Sequence, residues 1–173
     1  GPRATSPAGT PARSSRRVSG AMSTRTPPMI LAPGASTHAA WLGSVVFDGA
    51  RAFQGVAPDL DMHCERAVRS ALSLGLKPTK TAAEIEALCW DGIRKFPAGA
   101  ELYVRPMFYA EQGFVAPDPS STVFCLVLTE APLPPANGFS AHVSRFRRPT
   151  PDSAPTDAKA SCLYPNAGRA LFE

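Results

Sequence analysis

The order of the periodic patterns most constrains how this chain can fold. Apolar residues recur at three- and four-residue steps over 60–74 and again over 85–93, which predicts two amphipathic helices. Three strand-like segments follow: 101–110 and 139–144 alternate between apolar and polar residues, and 122–128 is more uniformly apolar. Because the helices and most of the strands are segregated along the chain, the sequence predicts an α+β fold rather than a doubly wound parallel sheet.

The two predicted helices carry recognisable boundary residues. Asp59 or Asp61 can cap the first helix, and Gly75 can end it. Thr81 and Glu84 have the spacing of a capping box at the start of the second helix. One face of the first helix is expected to be buried, with the members Leu60, Cys64, Ala67, Ala71 and Leu74.

A β-hairpin is predicted ahead of the helices. Asp48 and Gly49 form a favoured two-residue turn, with β-forming residues on both sides over 44–54. In the later strand over 101–110, Pro106 lacks an amide hydrogen. We therefore expect that strand to lie at a sheet edge or to carry a bulge at the proline.

Positive charge is concentrated in residues 1–40, which hold five arginines and no acidic residue. The rest of the chain has 18 − 5 = 13 basic and 14 acidic residues, a net charge of −1, which gives no reason to expect nucleic-acid binding. Residues 1–40 lack periodicity and are rich in Pro, Ser, Thr, Ala and Gly, so we expect a disordered or non-native extension, with Met22 or Met29 as an alternative native start. A mitochondrial transit peptide is the other interpretation, although six prolines disfavour the amphipathic helix it needs.

Cysteine spacing and hydropathy bear on the compartment. The four cysteines are widely spaced and show neither CxxC spacing nor a Cys/His metal pattern. Reduced thiols in a cytoplasmic protein are therefore expected. No apolar run approaches the roughly 20 residues that cross a bilayer, so no membrane partner is expected.

Lys159 is the candidate reactive residue. Lys77 and Lys80 lie in a predicted turn, and Lys95 lies near the end of a predicted helix. These three lysines are expected to be ordinary solvated charges. Lys159 instead lies among small and apolar residues, where desolvation would favour the free amine that attacks a carbonyl. On these residues alone, a surface lysine remains the alternative.

Four segments of the chain resemble one enzyme family. Residues 156–169 resemble the Schiff-base lysine segment of the fold-type IV (class IV) aminotransferases that use pyridoxal phosphate (PLP), among them the branched-chain aminotransferases. Residues 45–51 (VVFDGAR), 63–66 (HCER) and 102–106 (LYVRP) resemble the same family in the same order. The resemblance runs from about Trp41 to the end of the sequence.

This resemblance implies a domain organisation. A small N-terminal α/β domain would span 41–146 and an interdomain linker, which contains three prolines, would span 147–157. The large PLP-binding domain would begin at 158 and be truncated at 173.

The resemblance also implies roles for particular side chains. Lys159 would bind PLP covalently and then move protons at the substrate. Arg66 would contact the cofactor phosphate, with His63 as a possible support or an ordinary surface histidine, and Tyr164 would contact the ring oxygen. The substrate side would be lined by Phe47, Tyr103 and Arg105, of which Tyr103 and Arg105 would hold the substrate carboxylate, whereas Arg51 could be structural.

The implied activity is transamination of branched-chain or other hydrophobic L-amino acids with 2-oxoglutarate, in a homodimer with residues of both subunits at the site. After the lysine, Ser161-Cys162-Leu163 departs from the Gly-Gly-Asn common in the branched-chain enzymes. A D-amino acid or (R)-amine transaminase, or an aminodeoxychorismate-type lyase, therefore stays open. The family's carboxylate for the pyridine nitrogen lies further along the chain, so we expect little activity from these 173 residues alone. A truncated, non-catalytic dimerisation or binding fragment is the remaining alternative.

Overall fold

The computed structural model describes residues 37–173, so the predicted extension over 1–40 lies almost entirely outside the described residues. Helix α1, His38–Leu42, begins after Thr37, whose hydroxyl accepts a hydrogen bond from the Ala40 amide. The other elements, in chain order, are β1 (Val45–Phe47), β2 (Ala50–Ala52), α2 (Leu60–Ser73), α3 (Ala82–Ile93), β3 (Leu102–Ala110), β4 (Thr122–Glu130) and α4 (Pro165–Ala170), with 3₁₀ turns at Pro119–Ser121 and Ser161–Leu163.

A four-stranded antiparallel sheet is built around the central strand β3. Strand β4 pairs along one edge of β3 from end to end. The opposite edge of β3 pairs with β1 at one end and with β2 at the other. Together with the two helices that precede β3 and β4, this sheet confirms the α+β prediction.

The predicted hairpin at Asp48-Gly49 is wrong. Strands β1 and β2 follow one another along the same edge of β3 and keep a single register, with Val45 opposite Tyr109 and Ala52 opposite Leu102. They form one strand with an interruption, not two strands that pair through a turn. The turn preference of Asp-Gly is a local signal, and pairing with the long strand β3 overrides it.

Pro106 explains where the interruption falls. The Asp48 amide donates to the Pro106 carbonyl at 2.9 Å, but proline has no amide hydrogen to return to the Asp48 carbonyl. The proline amide position lacks a ladder hydrogen bond as expected, but the predictions of an edge position or a bulge are both wrong, because β3 is the central strand and its register is continuous across Pro106. The missing hydrogen bond breaks the neighbouring strand instead.

Helices α2 and α3 cover one face of the sheet. The predicted apolar stripe of α2 is confirmed at Leu60, Cys64, Ala67 and Ala71, which are buried, while Leu74 is half-buried. The capping box of α3 is also confirmed, since Thr81 and Glu84 exchange both hydrogen bonds. The sheet residues packed beneath these helices are fully or almost fully buried, and include Val46, Ala50, Val104 and Phe108.

The opposite face of the sheet, here called the open face, carries half-buried side chains. Strand β3 alternates as predicted, with Leu102, Val104, Pro106 and Phe108 buried towards the helices. The half-buried residues of the open face include Phe47, Arg51, Tyr103, Arg105 and Met107.

The strand predicted over 139–144 is wrong. These residues have no regular secondary structure, and the Phe139 and Val143 side chains are 93% and 99% exposed. An alternating sequence needs a neighbouring strand to pair with, and within residues 37–173 this segment has none. Residues 37–173 all fall in one compact unit, and the domain boundaries at 146/147 and 157/158 stay predictions. Among the described residues, no helix has the length and hydropathy needed to cross a membrane.

Candidate functional site

The backbone of Lys159 is held on both sides. Its amide donates to the Ser70 hydroxyl of α2 at 2.9 Å, and its carbonyl accepts from the Phe47 amide of β1 at 3.0 Å. The next residue, Ala160, forms an antiparallel bridge with Val46. The lysine segment is therefore added to the outer edge of β1 and is fixed to the helix that packs beneath it.

The side chain of Lys159 is half-buried beside two aromatic rings. Its Nζ donates to the Tyr164 hydroxyl at 3.3 Å and lies 5.2 Å from the centre of the Phe47 ring. The two rings are themselves 5.4 Å apart. The 3₁₀ turn after the lysine returns the chain so that Tyr164 faces it, and the Tyr164 amide donates to the Ser161 carbonyl at 3.2 Å.

A buried carboxylate organises the second part of the site. Asp48, in the interruption between β1 and β2, is fully buried. Its oxygens accept from Arg66 Nε at 2.6 Å and Arg66 Nη2 at 2.8 Å, and Oδ1 lies 2.7 Å from His63 Nδ1. The Gly49 amide donates to the same oxygen Oδ1 at 2.7 Å. Arg66 and His63 lie one turn apart on α2, so this carboxylate joins the helix to the broken strand.

The electrostatics of this group favour the ionised pair. Burial opposes ionisation of Asp48, but the hydrogen bonds from Arg66, His63 and the Gly49 amide outweigh it and lower the pKa of the carboxyl. The hydrogen bond to Asp48 in turn raises the pKa of Arg66, and the nearby Tyr164 adds a smaller contribution of the same sign. The Arg66 side chain is still 45% exposed, so part of it remains accessible from solvent.

The open face of the sheet carries the predicted substrate residues. Ala160 opposes Val46, so Lys159 lies beside Phe47 and on the same face as it. Tyr103 and Arg105 also lie on this face, and the Arg105 guanidinium carbon is 5.8 Å from the centre of the Tyr103 ring. The Arg105 Nε is buried and has no hydrogen-bond partner within the described chain, which leaves a donor for an anion.

The structure therefore brings Lys159, Tyr164 and Phe47 into direct contact and presents Arg66 nearby. Tyr103 and Arg105 lie on the same face as the lysine. Within residues 37–173, neither side chain forms a hydrogen bond or a ring contact with the Lys159 amine or with Tyr164. Arg51 is structural in part, since its Nη2 donates to the Ala131 carbonyl beyond the end of β4.

Sequence reasoning missed three residues at the site, namely Asp48, Ser70 and Arg148. The Asp-Gly pair predicts a turn at Asp48, and no local pattern relates Asp48 to Pro106 or to Arg66. Ser70 lies beside the apolar stripe of the first helix, where a polar residue is ordinary, so no local pattern relates it to Lys159. Nothing in the sequence pattern indicated that the Arg148 guanidinium would lie 5.2 Å from the centre of the Tyr164 ring.

Comparisons with known proteins identify the family of this chain. The family model for amino-transferase class IV matches residues 45–173. A probable branched-chain-amino-acid aminotransferase of Rickettsia felis is 30% identical over 131 residues, which cover 74% of this chain and 45% of that protein. The chain thus spans about half the length of the curated relatives it matches.

Solved structures of aminotransferases also match this chain. An aminotransferase from Brucella abortus bound to PLP has a TM-score of 0.79 and 50% identity, covering 82% of this chain and 51% of that one. The branched-chain aminotransferase of Thermoproteus uzoniensis, solved with norvaline, has a TM-score of 0.70 and 26% identity, covering 83% of this chain and 50% of that one. The family match includes every element that holds Lys159, Arg66 and Asp48. The chain belongs to the class IV aminotransferase family.

Proposed function

We propose that this chain supplies the small domain and the cofactor lysine of a PLP-dependent aminotransferase. The proposed reaction moves the amino group of a branched-chain or other hydrophobic L-amino acid to 2-oxoglutarate by a ping-pong mechanism. The observation that carries the proposal is the Lys159 amine, 3.3 Å from the Tyr164 hydroxyl, on a segment whose amide and carbonyl are both bonded.

The side chains present fit PLP, which carries an aldehyde, a hydroxyl oxygen on its ring and a phosphate. Lys159 offers an amine for the aldehyde, and Tyr164 offers a phenol for the ring oxygen. Arg66 offers an exposed part of a guanidinium that is already oriented by Asp48, and a guanidinium fork suits a phosphate dianion. When bound, PLP condenses with amines with loss of water and withdraws electrons from the carbon next to the nitrogen.

The side chains of the chain would then do the following. With PLP bound, the Lys159 amine would take the proton from the substrate α-carbon at its Nζ. Tyr164 keeps that amine directed by its hydroxyl, and Phe47 excludes water from one side of it. Arg66 holds the phosphate as a fixed cation. Carboxylate binding is assigned to Tyr103 and Arg105, supported by the unpartnered Nε of Arg105.

The substrate assignment rests on the relatives that are branched-chain aminotransferases and on the apolar Phe47 beside the amine. A homodimer is proposed as well. It is supported by an exposed aromatic pair, Trp41 and Phe114, whose ring centres are 6.1 Å apart and whose side chains are 51% and 76% exposed. We also propose a cytoplasmic location on the reduced state of the four cysteines.

The site is tested by covalent attachment of PLP to the 173-residue chain. Incubation with PLP should give a visible absorption band, and borohydride should fix the cofactor on Lys159, as located by peptide mass spectrometry. Lys159→Ala should abolish both signals. Lys95→Ala, at an exposed lysine after α3, should leave them intact. Attachment that persists in Lys159→Ala, or fixation at another lysine, would contradict the proposal.

The substrate is tested by a half-reaction on the PLP-loaded chain. L-leucine or L-valine should convert the visible band slowly, in keeping with the little activity expected from these 173 residues alone, and 2-oxoglutarate should restore it. A response restricted to D-amino acids or (R)-amines would replace the L-amino acid proposal with the transaminases of opposite stereochemistry.

A further inference from the structure

A row of polar residues runs along α2 at the spacing of one helix face. His63, Arg66, Ser70 and Ser73 are separated by three, four and three residues, so they lie above one another on one side of the helix. Together they bond to three residues, namely Asp48, Lys159 and Asp157. His63 and Arg66 contact Asp48, Ser70 contacts the backbone of Lys159, and Ser73 donates to Asp157 Oδ2 at 2.7 Å.

Ser70 differs from Ser73 in its burial. Ser70 is fully buried, and its hydroxyl accepts the Lys159 amide hydrogen at 2.9 Å. The contact between Ser73 and Asp157 is exposed to solvent, two residues before the lysine. The bond between Ser70 and Lys159 is part-buried, and breaking it is costly because the Ser70 hydroxyl at its buried end would be left without a partner. The bond from Ser70 therefore fixes the lysine segment, whereas water can replace the bond from Ser73.

The geometry also links the two ends of the proposed cofactor site. Arg66 and Ser70 are four residues apart, which is about 6 Å along a helix. One rigid helix thus sets the distance between the cation proposed for the phosphate and the backbone that carries the amine. The carbonyl of Lys159 is fixed independently by Phe47, so the Ser70 bond is the one that aligns the segment with α2.

We propose that Ser70 is a positioning residue: its hydroxyl holds the Lys159 amide so that the amine reaches the PLP aldehyde while Arg66, on the same helix face, holds the phosphate. This inference rests on the proposed function. In the step concerned, the neutral Lys159 amine would form a C=N bond with the aldehyde carbon, and its two hydrogens would leave with the aldehyde oxygen as water. Ser70 touches neither reacting atom and acts through the backbone of the lysine.

The first experiment needs no cofactor. Amide hydrogen exchange at Lys159 is measured in the 173-residue chain, in Ser70→Ala, in Ser70→Thr and in Ser73→Ala. Exchange at Lys159 should accelerate at least about tenfold in Ser70→Ala, because the acceptor is gone, and should stay close to wild type in Ser73→Ala. Alanine favours a helix, so Ser70→Ala should keep α2 folded. Unchanged exchange at Lys159 in Ser70→Ala would overturn the proposal.

The second experiment separates positioning of the amine from binding of the rest of the cofactor. The rate of covalent PLP attachment is compared with the affinity for 4′-deoxypyridoxine 5′-phosphate, which has the ring and the phosphate but no aldehyde. Ser70→Ala should slow attachment between about tenfold and a hundredfold, because a small displacement of a reacting group has a large effect on rate. Its affinity for the analogue should stay within about twofold of wild type.

The Ser70→Thr variant and the wild-type chain give further tests of the positioning role of Ser70. Ser70→Thr keeps the hydroxyl and should restore the attachment rate to the extent that it restores amide protection at Lys159. Equal losses of attachment rate and analogue affinity in Ser70→Ala would show a general structural role and overturn the proposal, as would an unchanged attachment rate. If the wild-type chain binds the analogue but attaches no PLP, the proposed function fails first, and the positioning role fails with it.

Discussion

Asp48 holds Arg66 through both of its carboxylate oxygens, at 2.6 Å from Nε and 2.8 Å from Nη2. The aspartate lies in the one interruption of the strand formed by β1 and β2, and the arginine projects from α2. This pair therefore connects a defect in the sheet to the helix that supports the proposed phosphate site.

Replacing Asp48 by asparagine should destabilise the protein. Asp48→Asn removes the charge that both arginine nitrogens bond, and the loss should be about 1–3 kcal/mol in the free energy of unfolding. Urea unfolding followed by circular dichroism measures it. The matched control is Asp91→Asn, which breaks the exposed pair of Asp91 with Arg94 and should change stability by less than about 0.5 kcal/mol. Equal effects of the two substitutions would contradict the role assigned to Asp48.

The contribution of Asp48 should depend on pH. Because the folded state lowers the pKa of this carboxyl, its stabilising effect is complete above the unfolded pKa of about 3.9 and is lost as the pH falls through the lower folded value. The difference in unfolding free energy between wild type and Asp48→Asn should therefore be constant from pH 7 to about 5 and shrink below about 4. Urea titrations across that range test this sign, and a difference that grows with acidity would be inconsistent with it.

Gly49 should not tolerate a methyl group. A Cβ at this position would overlap the Tyr103 hydroxyl and lie 2.6 Å from its ring carbons. Gly49→Ala should displace the Tyr103 ring and cost about 1–3 kcal/mol, as overpacking does. Gly168→Ala, in α4 with open space around the added carbon, is the control and should not destabilise. Thermal unfolding measures both, and a neutral Gly49→Ala would mean that Tyr103 is not held against the strand.

The four thiols should react in an order set by burial. Cys162 is exposed and Cys125 is half-buried, whereas Cys64 and Cys89 are buried between α2 and α3. The neighbouring Cys89 thiol and burial raise the pKa of Cys64, so its thiolate is scarce in the folded protein. A thiol reagent should titrate Cys162 first, Cys125 more slowly, and the buried pair after unfolding. Cys162→Ser should remove the fastest phase alone, and rapid modification of Cys64 would rule out this order.

Self-association should depend on the aromatic pair Trp41 and Phe114. Phe114→Asp places a charge on this exposed apolar patch and should shift the 173-residue chain towards monomer in sedimentation equilibrium. Phe139→Asp is a matched control, since Phe139 is also highly exposed but lies in an irregular segment. A wild-type chain that stays monomeric, or equal effects of both substitutions, would argue against a dimer through this patch.

Local patterns were enough to predict helices α2 and α3 and the long strands β3 and β4, but not the short helices α1 and α4. The apolar steps of α2, the capping box at Thr81 and the alternation of β3 each report a short-range preference that the folded chain keeps. The same kind of signal failed at Asp48-Gly49, where a strong turn preference yielded to pairing with β3. The alternating pattern over 139–144 also predicted a strand wrongly, because no neighbouring strand pairs with this segment in the described region.

The site was partly predictable for a similar reason. Lys159 and Tyr164 are five residues apart, so their contact follows from local chain geometry and from the family segment. The bonds of Asp48 to Arg66 and of Ser70 to Lys159 join residues 18 and 89 positions apart, respectively. Such pairings depend on the tertiary fold, and a single sequence carries no periodic signal for them.

The interrupted strand has a further consequence. Since β1 and β2 each pair with β3 on their own, a substitution at Asp48 should leave the register on either side of it unchanged. A different side chain at position 48 would change the interactions of the Arg66 guanidinium, while β1 and β2 keep their pairing with β3.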